Sequence, residues 1–117
     1  MNRDQYLTEI RENQGVLLFK FTAQWCGPCK RIAPLVEERV MAIAETYKNF
    51  KYVEIDVDEA FDVYAYLRSK KLVTAIPTML VYVNGNQSIF QDEGHIGSDE
   101  QGTVDFFNRV TKILSNM

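Results

Sequence analysis

Ligands for a soft metal are scarce in this sequence. Its 117 residues include two cysteines, Cys26 and Cys29, and one histidine, His95, far along the chain. A closed zinc site takes four ligands, which one copy of the chain cannot supply, so no metal is expected. Basic residues are not in excess either. Lys and Arg number 13 against 16 Asp and Glu, a net charge of −3. That balance argues against nucleic acid or an anionic membrane as the main partner. Long apolar runs are missing too. No stretch approaches the ~18 residues of a membrane span. Met1 to Gly15 is mostly polar and charged, with no apolar core of a secretory signal. Asn86-Gln87-Ser88 fits a glycosylation sequon, which without such a signal carries no meaning. The expectation is a cytoplasmic, monomeric protein. No internal repeat or low-complexity segment divides the chain. Hydrophobic residues make up 46% of it, enough for the core of one domain over residues 1–117.

What the sequence does have is concentrated in Trp25-Cys26-Gly27-Pro28-Cys29-Lys30. An apolar run, Val16 to Phe21, leads in, and a helical pattern from Arg31 to Tyr47 leads out. Such a junction puts Cys26 just before a helix and Cys29 in its first turn. Unpaired N–H groups there favour negative charge, so a thiolate at Cys26 is stabilised over the thiol. This spacing also lets the two sulfurs close a small disulfide. Cys26 would be the exposed attacker and Cys29 the resolving thiol. Pro28 sits where a helix N–H is not needed, and Gly27 lets another chain approach the sulfur. Two cysteines in a chain without a secretory signal read as redox chemistry, not as a staple.

The run from Phe21 to Lys30 resembles the active-site segment of the thioredoxin family. Ala75-Ile76-Pro77-Thr78 resembles that family's cis-proline loop. Gly97, followed by a helical pattern, matches its last strand-to-helix turn. The resemblance spans about Val16 to Leu114. It implies an α/β fold with a central mixed sheet flanked by four helices. The family's N-terminal strand has no room here, leaving about four strands. It also implies a dithiol–disulfide oxidoreductase that reduces protein disulfides, with no cofactor beyond the Cys26–Cys29 disulfide. A thioredoxin reductase using NADPH would restore the dithiol. Ile76-Pro77 would be cis and offer the backbone of Ile76 to an extended substrate segment. Trp25, Ile96 and Gly97 would border the same surface.

One position departs from the family. Six residues before its first cysteine the family carries a buried aspartate, thought to relay a proton of the second cysteine. Here that position is Lys20. Glu54 is the candidate counterpart on the neighbouring strand, which would keep an ion pair with its signs reversed. A two-residue shift of register would bring Tyr52 there instead. A charged Lys20 lowers the pKa of Cys29 and makes the disulfide more oxidising. A neutral one could act as a base. The bland reading is a pair that serves stability alone.

The rest of the chain reads as follows. Asp4 to Asn13 is a short amphipathic helix. Val16 to Ala23 is a central strand covered on both faces. Pro34 lies inside the long helix, removes one backbone bond and should kink it. Lys51 to Val57 alternates as a strand. Asp56 or Asp58 starts a helix of about Glu59 to Lys71. A calcium loop there fails, because Phe61 and Leu67 stand where Gly and Glu are needed. Thr78 to Val83 is a strand, and Asn84-Gly85 a hairpin turn. The returning strand lies within Gln87 to Ile96, with a bulge or loop at Asp92-Glu93-Gly94. Ser98 and Gln101 suit a capping box for the last helix. His95 reads as a solvated surface residue. A second reading of the whole is a binding module that docks a partner through the Ile76–Gly97 surface and uses its thiols little.

Overall fold

Val16-Leu17-Leu18-Phe19-Lys20-Phe21 supplies almost nothing polar for solvent, and it forms the strand buried deepest in the sheet. In the computed structural model, which describes residues 1–117, β1 (Val16–Thr22) is buried on both faces except at its last residue. It pairs in parallel with β2 (Phe50–Asp56) and antiparallel with β3 (Thr78–Val83), and β3 pairs antiparallel with β4 (Glu93–Ile96). The result is a four-stranded mixed sheet in the order β2-β1-β3-β4.

Side chains alternate across β1, and each set has its own helices. Leu17, Phe19 and Phe21 pack with Tyr6 and Ile10 of α1 (Arg3–Glu12) and with Val63 and Leu67 of α3 (Phe61–Ser69). Val16 and Leu18 pack with Ile32, Val36 and Ile43 of α2 (Gly27–Thr46) and with Phe106, Phe107, Val110 and Leu114 of α4 (Glu100–Ser115). Burying each such side chain contributes roughly 1.5–3 kcal/mol. The four helices thus flank the sheet as the sequence implied. The tyrosine hydroxyls in the first layer are satisfied as well. Tyr82 donates to the Ile89 carbonyl at 2.6 Å, and its oxygen lies 2.9 Å from that of Tyr6.

Several boundaries differ from the sequence reading. The helix expected from Glu59 begins at Phe61, because Asp56 uses its carboxylate to close a turn. Its Oδ1 accepts the N–H groups of Asp58 and Glu59 at 2.8 and 3.3 Å. The same helix ends at Ser69, ahead of Lys71 in the left-handed region at φ 60°. After the Asn84-Gly85 turn the strand returns within the expected stretch, but the irregular segment comes earlier than Asp92-Glu93-Gly94. Residues 86–92 form a loop, fastened by Asp92 accepting the Val83 N–H at 2.7 Å, and pairing resumes only at Glu93. The cap of α4 is Asp99, not Ser98: Asp99 accepts the Gly102 N–H at 2.8 Å, while Ser98 accepts from Arg31. Helix α2 continues through Pro34, which lies on its exposed side.

Candidate active site at the mouth of α2

The end of β1 and the start of α2 deliver the two cysteines together. Ala23 to Trp25 makes the connecting turn, closed by the Cys26 N–H donating to the Ala23 carbonyl at 3.2 Å. Cys26 is the N-cap of α2, with extended backbone (φ −85°, ψ 105°). Its sulfur accepts the Cys29 N–H at 3.1 Å. Cys26 and Cys29 are joined as a disulfide, their Cα atoms 5.3 Å apart. Pro28 follows in the first turn, where no intrahelical N–H is lost. That turn carries no acidic side chain of its own, so nothing within it offsets the positive end of the helix dipole at the sulfurs.

A second segment meets the sulfurs from β3. The Ile76–Pro77 peptide is cis, and the Ile76 carbonyl oxygen lies 4.0 Å from Cys26 Sγ. Gly97 donates its N–H to the Pro77 carbonyl at 2.9 Å and has φ +110°, a conformation that favours glycine. Thr78 and Ile96 are partners in the β3–β4 ladder, which brings Ile96 beside this loop. Trp25 is 68% exposed and Ile96 50%, with Ile76 half-buried between core and surface. A Cβ built on Gly27 would meet nothing within 4 Å beyond its chain neighbours, so the space at Gly27, next to Cys26, is open.

The Thioredoxin family model matches residues 1–105 of this sequence. The chain belongs to the thioredoxin family. It is 42% identical over 77 residues to thioredoxin 1 of Plasmodium falciparum, a match covering 66% of this chain and 65% of that protein. With thioredoxin-2 of Saccharomyces cerevisiae it shares 34% identity over 83 residues, covering 71% and 72% of the two chains. The first of these matches thus spans just under two thirds of the relative's length. A solved structure of Plasmodium falciparum thioredoxin superposes with a TM-score of 0.67 at 29% identity, covering 92% of this chain and 93% of that one. A Trichomonas vaginalis thioredoxin structure shares the fold, with a TM-score of 0.69.

Against the thioredoxin pattern, three sequence expectations need correction. Cys26 is not an exposed residue: it retains 4% of its surface and Cys29 2%, because both lie against the α1/α3 core, with Ile76 over them. Lys20 and Glu54 are register partners on β1 and β2, so the alternative with Tyr52 does not apply. No ion pair joins them, however. Every ion pair within 4 Å lies elsewhere, and the Glu54 carboxylate accepts the Tyr52 hydroxyl at 3.2 Å. Burial first, and then the Glu54 carboxylate, push the Tyr52 phenol well above its ordinary pKa. His95 is not solvated. Its side chain is 15% exposed, stacked near Phe106, with Nε2 3.1 Å from Asp99 Oδ1. It stands at the β4–α4 corner, and its contacts are with α4, not with the thiols.

Sequence reasoning missed one contact. The Trp25 indole donates to Asp58 Oδ2 at 2.8 Å, tying the exposed ring to the turn before α3. The acid-rich run Asp56-Val57-Asp58 was the available signal, but only the parallel register of β2 on β1 brings that turn to Trp25. No group of three or more His, Cys, Asp or Glu side chains is placed to hold a metal ion. No helix is long and apolar enough to cross a membrane.

Proposed function

We propose that this protein is a dithiol–disulfide oxidoreductase that reduces disulfides in other proteins. The observation that carries the reading is the Cys26–Cys29 disulfide at the N-terminus of α2, with the Ile76 carbonyl 4.0 Å from Cys26 Sγ. In the reduced protein, the Cys26 sulfur has the Cys29 N–H and the helix dipole to hold it as a thiolate. It attacks a partner disulfide, and a mixed disulfide forms while one partner sulfur leaves. Cys29 then attacks Cys26 Sγ and releases the second partner sulfur, leaving Cys26–Cys29 oxidised. An extended segment of the partner pairs with the backbone of Ile76 beside Pro77, and Trp25, Ile96 and Gly97 form the rim against which it lies. Gly27 and Pro28 leave the approach open.

Because Cys26 is nearly covered in the disulfide form, the partner reaches it along the open side over Gly27. A thioredoxin reductase drawing on NADPH would restore the dithiol, and a reducing compartment such as the cytoplasm suits that cycle. The test is reduction of insulin by dithiothreitol, followed by turbidity. The wild-type protein should accelerate it and Cys26→Ser should not. Equal rates would remove the oxidoreductase reading and leave a binding module in its place.

A further inference from the structure

Lys20 is the one lysine in the buried core, 2% exposed. It lies on the β1 face that carries Val16 and Leu18, directly beneath α2. An ammonium group taken out of water without a partner is strongly disfavoured. Yet Lys20 has no ion pair. Its side chain also makes no hydrogen bond, and its side-chain nitrogen is not among the sealed atoms that lack one. It therefore ends in water, and the water it reaches is in a defined place. Lys20 and Cys29 line one open cleft of about 410 Å³ between β1, β2 and α2.

We propose that Lys20 is a positioning residue for the resolving thiol: its ammonium stabilises the thiolate of Cys29 across this cleft. The inference rests on the oxidoreductase reading and deepens it. In the resolving step, the Cys29 thiol gives its proton to cleft water. The thiolate attacks Cys26 Sγ, the Cys26–Cys29 bond forms, and the bond from Cys26 to the partner breaks. The electron pair leaves on the partner sulfur, which is reduced as the cysteine pair is oxidised. A cation beside Cys29 favours the anionic intermediate and the reduced form of the pair. Other charges face the same cleft. Lys30 and Glu37 come from α2, Glu54 and Asp56 from β2, and Glu59 from the turn beyond it. On the β3 side the register partner of Lys20 is Met79, which carries no charge. The carboxylates oppose the thiolate, and Lys20 is the buried charge that offsets them.

The test is the equilibrium of the purified protein with glutathione redox buffers at pH 6, 7, 8 and 9. Lys20→Met removes the charge and keeps the chain's bulk. Its equilibrium constant should favour the disulfide about tenfold more than wild type at pH 8 to 9, a potential about 30 mV lower for this two-electron couple. The gap should shrink toward pH 6, as the Cys29 thiol takes up its proton in both proteins and Lys20 has no anion there to stabilise. A merely structural role would not produce a gap that grows with pH. Glu54→Gln, an exposed change that spares the core, should move the constant the other way. Equal constants for wild type and Lys20→Met at every pH, or a constant favouring the dithiol in that variant, would overturn the inference. Should Lys20→Met fail to fold, an unchanged constant in Glu54→Gln overturns it. Insulin reduction by the wild type reports separately on the oxidoreductase reading: active protein with equal constants sinks only the role of Lys20.

Discussion

Cys26 and Cys29 are both nearly covered, yet their positions on α2 give them different tasks. Only Cys26 accepts a helix N–H and lies by the Ile76 carbonyl, whereas Cys29 sits one turn deeper. Replacing the second should therefore stop the reaction halfway. Cys29→Ser, mixed with a disulfide protein, is expected to accumulate a covalent adduct visible by intact mass and released by dithiothreitol; an adduct-free sample would mean that Cys26 is not the attacker. Tyr82 gives a second contrast at the same scale. Because its hydroxyl proton goes to Ile89, Tyr6 must be the donor to Tyr82. Tyr6→Phe leaves Tyr82 bonded to Ile89 and should cost about 1 kcal/mol. Tyr82→Phe leaves both the Tyr6 hydroxyl and the Ile89 carbonyl without a partner, at roughly 1–3 kcal/mol for each one stranded. Urea unfolding of the two variants should rank them in that order. The motif cysteines, Trp25 and the Ile76-Pro77 loop were legible in the sequence, since their chemistry is local. The surroundings of His95, Lys20 and Asp58 were not, because each depends on which element folds over it.

Among the elements, β1 and α2 were the most legible: one is an apolar run, the other a long period of buried positions after a proline-marked start. Helix α3 was over-extended by sequence reasoning, and the irregular stretch before strand β4 was placed too late, for a common reason. Polar side chains there bond the backbone in turns, Asp56 before α3 and Asp92 before β4, and so compete with regular structure. Asp99 was overlooked as a cap because Ser98 offered the more familiar signature, and the cap yields a prediction against simple propensity. Gly102 lies inside α4, where replacing glycine by alanine usually gains about 0.8–1 kcal/mol. Here the new Cβ would collide with Asp99 Oδ2 and the His95 ring. Moving Asp99 forfeits a cap worth ~0.5–2 kcal/mol, and displacing His95 disturbs its packing on Phe106. Gly102→Ala should lower the urea midpoint; a raised midpoint would show that the corner yields without loss.

Across the whole molecule, the two layers of core differ in kind. The layer under α2 and α4 holds no tyrosine that is fully covered, while the layer under α1 and α3 is built around the Tyr6–Tyr82 pair. Burial first of all, joined for Tyr6 by the neighbouring Tyr82, raises both phenols above their ordinary range, and Tyr52 on β2 is raised as well. The folded protein therefore keeps these protons at a pH where the unfolded chain, with tyrosine pKa about 10, has released them. Their contribution to stability is complete below about pH 10 and declines as the pH rises toward the folded values. Each retained proton steepens the loss by about 1.4 kcal/mol per pH unit. The urea midpoint should thus stay level from pH 7 to 9 with respect to these groups and fall steeply above 10. The double variant Tyr6→Phe, Tyr82→Phe should begin lower at pH 8 but descend less steeply, since two of the three protons are gone. Parallel descents above pH 10 would place the alkaline sensitivity outside this tyrosine layer.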